Sequence, residues 1–176
     1  MDKIAKYDIS FIGLKNGKHR FAFDVYQEFF DLFEAENEFT GANIAADVLL
    51  DKHLSFMKFE IKIRGSVVLV CDISGSEYVQ PISGDVDVIV KFGERYDDTD
   101  GEMITIPHNQ NEYNIAKLIF EAALLSIPMK RLSPYLTDED FKVLNNFSPR
   151  VSENDFQENS INNLDPRWSM LNKIKI

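Results

Sequence analysis

The sequence predicts an α+β domain built on a curled antiparallel sheet of about six strands. Three observations carry this. From Leu54 to Cys71, LSFMKFEIKIRGSVVLVC, the residues Met57, Phe59, Ile61 and Ile63 alternate with Lys58, Glu60, Lys62 and Arg64. A period of two gives a strand with one apolar and one wet face. Further segments of the same alternation stand on both sides of this spine, and only two stretches before residue 130 change to a helical period.

The spine breaks at Gly65, where a glycine predicts a bulge or bend. The run Val67-Val68-Leu69-Val70 beyond it predicts a strand covered on both faces. Upstream, Tyr7–Leu14 and His19–Val25 flank Asn16-Gly17, the signature of a two-residue hairpin turn. Tyr26, Phe29, Phe30 and Phe33 recur at three and four, which predicts a short amphipathic helix with a core-facing aromatic stripe. Ile44, Ala46, Val48 and Leu50 alternate in a strand that leads back to the spine.

After Cys71, Ser74-Gly75-Ser76 and Ser83-Gly84-Asp85 read as turns enclosing a brief strand, Glu77–Ile82, which Pro81 confines to an edge or a strand end. Val86, Val88 and Val90 form another half-buried strand, GERYDDTDGEM an acidic loop, and Ile104 and Ile106 a last short strand. Ile115, Leu118, Ile119, Ala122 and Leu125 give the main packing helix, with Asn109 or Asn111 as its cap and Ser126-Ile127-Pro128 as its end.

Thr137 caps a short helix ending near Phe147; residues 148–163 are polar and read as a linker. Asp165-Pro166 opens a terminal helix bearing Trp168, Leu171 and Ile174, with Lys173 and Lys175 at its far end. The expected organisation is a core domain over 1–128 and a C-terminal extension over 129–176.

The 176 residues carry 19 Lys and Arg against 29 Asp and Glu, a net charge of −10. That balance argues against nonspecific binding to naked nucleic acid, which needs clustered cations. The acidity is concentrated in residues 1–128, with 22 acidic and 12 basic residues, whereas 129–176 hold seven of each. A single cysteine suits a reducing compartment, no apolar run reaches the length of a membrane span, and MDKIAKYDIS has no signal-peptide core. A cytoplasmic protein is expected.

Residue types offer little chemistry. Cys71 ends an apolar run, where a cysteine is a small core residue more often than a nucleophile. Ser74 and Ser76 lack the preceding glycine of a nucleophile elbow. His19, His53 and His108 are scattered, without the paired spacing of a zinc site. Asp98, Asp100 and Gly101 imitate part of a calcium loop, but Tyr96 and Pro107 would fall on its first and last ligand positions. No catalytic group, metal, cofactor or small-molecule substrate is expected. Two contact surfaces are: the stripe Lys58, Lys62 and Arg64 around Glu60, and the terminal helix with Arg167 and Trp168, which either docks on its own sheet or anchors a partner.

Several blocks, in order, resemble the DUF177 or YceD family. Gly65 leads into Cys71-Asp72, followed by Glu77 and Pro81-Ile82; then come VKFGERYDD from Val90, LLSIPMKR ending at Arg131, and DPRW from Asp165. The resemblance implies a cytoplasmic, non-enzymatic factor needed for accumulation of 23S ribosomal RNA and assembly of the large ribosomal subunit. Its partners would be large-subunit RNA, ribosomal proteins or assembly intermediates. The contact residues expected on that basis are Lys58, Lys62, Arg64, Lys130, Arg131, Arg167 and Trp168. Two departures stand out: Ser74 replaces the second cysteine of the family's Cys-x-x-Cys, and Leu132-Ser133 replace a histidine, which puts metal binding in doubt. The alternative reading is an acidic protein-binding module with no RNA role.

Overall fold

The computed structural model describes residues 3–33, 38–101 and 103–147. Fifteen residues, Phe56–Val70, form strand β4. Its inward residues Met57, Phe59, Ile61 and Ile63 are wholly buried, and Lys58, Glu60, Lys62 and Arg64 point the other way. Strand β3 (Thr40–Lys52) lies antiparallel along one side of β4 and β5 (Glu77–Gly93) along the other. With β2 (Gly17–Tyr26), β6 (Asp97–Asp100) and β7 (Met103–Pro107), the six-stranded sheet has the order β2-β3-β4-β5-β7-β6. All its junctions are antiparallel except β5–β7, which is parallel. After β5 the chain passes to the outermost position as β6 and returns through a hairpin to fill the slot beside β5. The segment expected as an acidic loop therefore contains a strand.

A second layer covers the inner face. The short strands β1 (Asp8–Ser10) and β8 (Glu112–Asn114) pair with each other, and helices α1 (Gln27–Phe30) and α2 (Ala116–Leu125) complete the cover. Tyr113 of β8 lies over Phe59, ring centroids 5.3 Å apart. Phe29, Phe30, Phe33, Phe39 and Phe120 form a chain of ring contacts that ties α1 to α2. The aromatic stripe is thus core, although Tyr26 stays exposed because α1 begins after it. Neither Asn109 nor Asn111 caps α2: Ile115 is its N-cap, without a side-chain cap bond, and Asn114 just before it accepts the Ala116 N–H on Oδ1 at 2.9 Å.

Four local expectations give way to tertiary packing. The Asn16-Gly17 pair makes no hairpin, because the segment before it bonds beside β8: the Tyr7 carbonyl accepts the Ile115 N–H and the Phe11 N–H donates to the Asn111 carbonyl. Lys52 Nζ then holds the loop by donating to the carbonyls of Phe11 and Leu14 at 2.8 and 2.9 Å. Ser83-Gly84-Asp85 is no turn, since β5 runs straight through it. Gly84 is instead where α2 comes down on the sheet; a Cβ there would lie 3.2 Å from the Ala122 carbonyl oxygen.

Gly65 carries no bulge in β4, whose register with β5 is unbroken. The irregularity lies opposite, in β3 between Thr40 and Asn43, where Gly41 adopts a φ of 58°. A side chain at 65 would collide with the Asn43 carbonyl and the Ile44 Cα. Finally, Val67 and Leu69 are buried but Val70 is 49% exposed, so the outer face remains open beyond Gly65.

The first compact unit runs to Leu136 and includes residues 129–136. In the second unit, α3 (Asp138–Phe147) starts at a reciprocal cap: the Thr137 N–H donates to the Asp140 carboxylate at 2.8 Å, and the Asp140 N–H donates to Thr137 Oγ1 at 3.4 Å. Residues 148–176, with the expected linker and terminal helix, lie outside the described residues.

The two strand glycines give a graded test. Gly65→Ala drives a methyl into β3 backbone that cannot move aside, and should cost about 3 kcal/mol in urea denaturation. Gly84→Ala meets the α2 carbonyl at a milder distance and should cost about 1 kcal/mol.

Candidate functional site

The outer sheet face presents its charges in cross-strand rows. Lys62 stands between Asp47 of β3 and Asp85 of β5, and Lys58 is opposite Asp51. Lys58 Nζ lies 2.9 Å from Glu60 Oε1 and 3.0 Å from Asp87 Oδ2. Its ammonium is held above the usual lysine range by the Glu60 hydrogen bond first and the Asp87 one second. The basic stripe is therefore interleaved with carboxylates on the neighbouring strands. Arg64 differs: its cross-strand neighbours are Ala45 and Ser83, and it is exposed. Lys130 is exposed as well. Arg167 and Trp168 lie outside the described residues.

Arg131 has a different role. Its backbone N–H donates to Asp72 Oδ2 and its carbonyl accepts the Asp72 N–H, both at 2.8 Å. Its guanidinium pairs with Glu38. Asp72 belongs to the loop that joins β4 to β5, so this two-way contact clamps the segment after α2 onto the end of that hairpin. Two residues on, the Ser133 N–H donates to Cys71 Sγ at 3.3 Å. The Cys71 N–H donates to the Ser76 carbonyl and the Cys71 carbonyl accepts the Gly75 N–H, each at 2.9 Å, which closes the loop on itself.

Cys71 is 2% exposed. Its thiol is drawn down to about 7, first by the Ser74 side chain, then by the Ser74 backbone, with the Ser133 and Ile73 amides adding to them against the opposing effect of burial. Ser74 and Ser133 therefore meet at the one sulfur. Zinc needs three or four sulfur, nitrogen or carboxylate ligands; one thiol met by a serine hydroxyl and backbone amides does not fit it. The Tyr78 hydroxyl is buried and has no hydrogen-bond partner among the described residues.

Other motif residues serve the frame. Glu77 opens β5 opposite Val70. Pro81 is exposed opposite Ser66, in the part of β5 that β7 does not reach, where a missing N–H breaks no ladder. Gly93 lets Thr105 of β7 approach.

At the far edge, Lys117 Nζ lies 2.7 Å from Asp98 Oδ2 and holds that carboxyl below its usual range; Asp97 is lowered by the Thr99 amide and hydroxyl. No group of three or more His, Cys, Asp or Glu among the described residues is placed to hold a metal ion. The histidines are apart: His19 contacts the Lys15 carbonyl, His53 stacks on Phe56 and His108 on Phe92. No helix among the described residues is long and apolar enough to cross a membrane. Sequence reasoning missed the Asp72–Arg131 clamp, since backbone donors and acceptors leave no residue-type signal.

These features define an open-sheet α+β domain with one charged face that the described residues leave uncovered, and a clamped loop at one end of its central hairpin. The model of the family described as large ribosomal RNA subunit accumulation protein YceD matches residues 59–175. The chain belongs to this family. No curated protein and no solved structure matches it.

The Cys71 loop yields two tests. Asp72→Ala should release the clamp at a cost of about 1 kcal/mol in urea denaturation, because Asp72 is itself exposed. The lowered thiol has a definite sign: between its folded value of about 7 and its ordinary value near 9, only the unfolded chain keeps the proton. Cys71 therefore adds stability as pH rises through that window, and the gain is lost as pH falls through 7. Ser74→Ala should flatten the slope, as read by urea denaturation at stepped pH; an unchanged slope would contradict the assignment.

Proposed function

We propose that the chain is a non-enzymatic, cytoplasmic factor that supports accumulation of 23S ribosomal RNA during assembly of the large ribosomal subunit. The observation that carries this reading is the family match over residues 59–175. Action by surface contact is supported by the outer sheet face, whose charges of both signs stand on rigid strands. Phosphate contact falls to Arg64, Lys62 and Lys130, because Lys58 and Arg131 are already engaged within the chain. Arg167 and Trp168 remain the proposed anchors for a protein partner.

A second reading, an acidic protein-binding module with no RNA role, is favoured by the net charge of −10 and by the carboxylates beside Lys58 and Lys62. Its partner would be a basic ribosomal protein or another cationic surface.

Sucrose-gradient profiles and ribosomal RNA quantification in cells lacking the gene test the proposal. The expected result is reduced 23S RNA and fewer large-subunit particles, restored by the wild-type chain and only partly by an Arg64→Ala, Lys62→Ala variant. Normal 23S levels and normal large subunits would contradict it. Nuclease treatment before affinity capture separates the two readings, since a protein-only module keeps every partner.

A further inference from the structure

The sheet treats its two outermost strands differently. β6 is four residues of sequence DDTD with an irregular register, an edge blunted by charge and shortness. β2 is ten residues long, pairs with β3 without interruption from Gly17↔Lys52 to Tyr26↔Asn43, and contains no proline. Among the described residues its other side carries no strand. A long regular edge of this kind is a template for another strand.

The sequence of that edge, GKHRFAFDVY, is complementary to itself in one antiparallel register. We infer that β2 pairs with β2 of a second copy of this chain, with Ala22 on the two-fold axis, to make one continuous sheet through an isologous interface. In that register Arg20 stands opposite the second copy's Asp24, twice by symmetry, on the outer face. The small Ala22 side chains meet at the axis, and Lys18 faces the exposed Tyr26. On the inner face Phe21 stands opposite Phe23, again twice, and both rings are only partly buried within one chain.

The two charges are the deciding feature. Within the chain the cross-strand neighbours of Arg20 and Asp24 are Leu49 and Ala45, and neither charge forms an ion pair among the described residues. The adjacent acidic residues of β3, Asp47 and Asp51, already face Lys62 and Lys58. Opposite charges directly across an antiparallel pair stabilise it and like charges oppose it. The edge thus carries a cation, Arg20, and an anion, Asp24, that form no ion pair among the described residues and stand at the spacing that a second copy satisfies.

Sedimentation equilibrium of the full chain over a concentration series, with charge-swapped variants, tests this. The wild type should form a concentration-dependent dimer. Arg20→Asp and Asp24→Arg should each weaken it about tenfold, and the double variant should restore it. Ala22→Lys places two ammonium groups across the axis and should abolish the dimer. Within the chain the new side chain faces Asp47, so thermal unfolding of that variant serves as the folding control and should be unchanged. A chain that stays monomeric at every concentration, with the edge left to some other strand, would overturn the proposal. So would a dimer that ignores the swaps.

Discussion

The close approach of β3 and β4 at Gly65 governs the form of the sheet. There the backbone of Asn43 and Ile44 occupies the space that a side chain would need, and the compensating extra residue is taken up in β3 at Gly41. β4 can therefore remain one uninterrupted strand of fifteen residues while its neighbour bends against it. Because the strand is not broken, its alternation stays in phase from Met57 to Cys71, with every odd-numbered side chain but that of the glycine buried on the inner face. A one-residue slip at Gly65 would turn Val67, Leu69 and Cys71 to the outer face.

That phase carries the polar organisation with it. On the outer side, Lys58 pairs with Glu60 and Asp87, Lys62 stands opposite Asp47 and Asp85 without a close ion pair among the described residues, and Arg64 lies between uncharged neighbours. At the strand's end, Cys71 arrives on the buried side, where the segment after α2 can close over it. Asp72, the next residue, then points out and clamps Arg131. The Cys71-Asp72 pair is a fastening between the central hairpin and the stretch that follows the main helix. Ser74 and Ser133 both serve the Cys71 sulfur through hydrogen bonds.

Much of this was legible in the sequence because period-two alternation is a local signal. The faces of β3, β4 and the latter half of β5, the aromatic stripe apart from Tyr26, the helix Ala116–Leu125 and the Thr137 cap all follow from residues close together in the chain, whereas Leu125, expected on the packing stripe, is exposed at the helix end. What was not legible depends on partners far away. The Tyr7–Leu14 segment meets β8 about a hundred residues later, and no turn residue announces that contact. Gly84 looks like a turn glycine until α2 is seen resting on it. Lys58, Lys62 and Arg64 read as a basic stripe along one strand, whereas their surroundings are decided by residues opposite them on two others. The family resemblance, by contrast, rested on blocks in order and was recovered over residues 59–175.

The central claim is that β4 is a single structural unit on which both layers and the Cys71 loop depend. Native-state hydrogen exchange on its buried residues is the most direct test. The account predicts that the amides of Phe59, Ile61 and Ile63, before Gly65, and those of Val67 and Leu69, after it, open together with the free energy of global unfolding. Independent, cheaper opening of the stretch after Gly65 would contradict it, since the strand would then be two elements joined at a hinge.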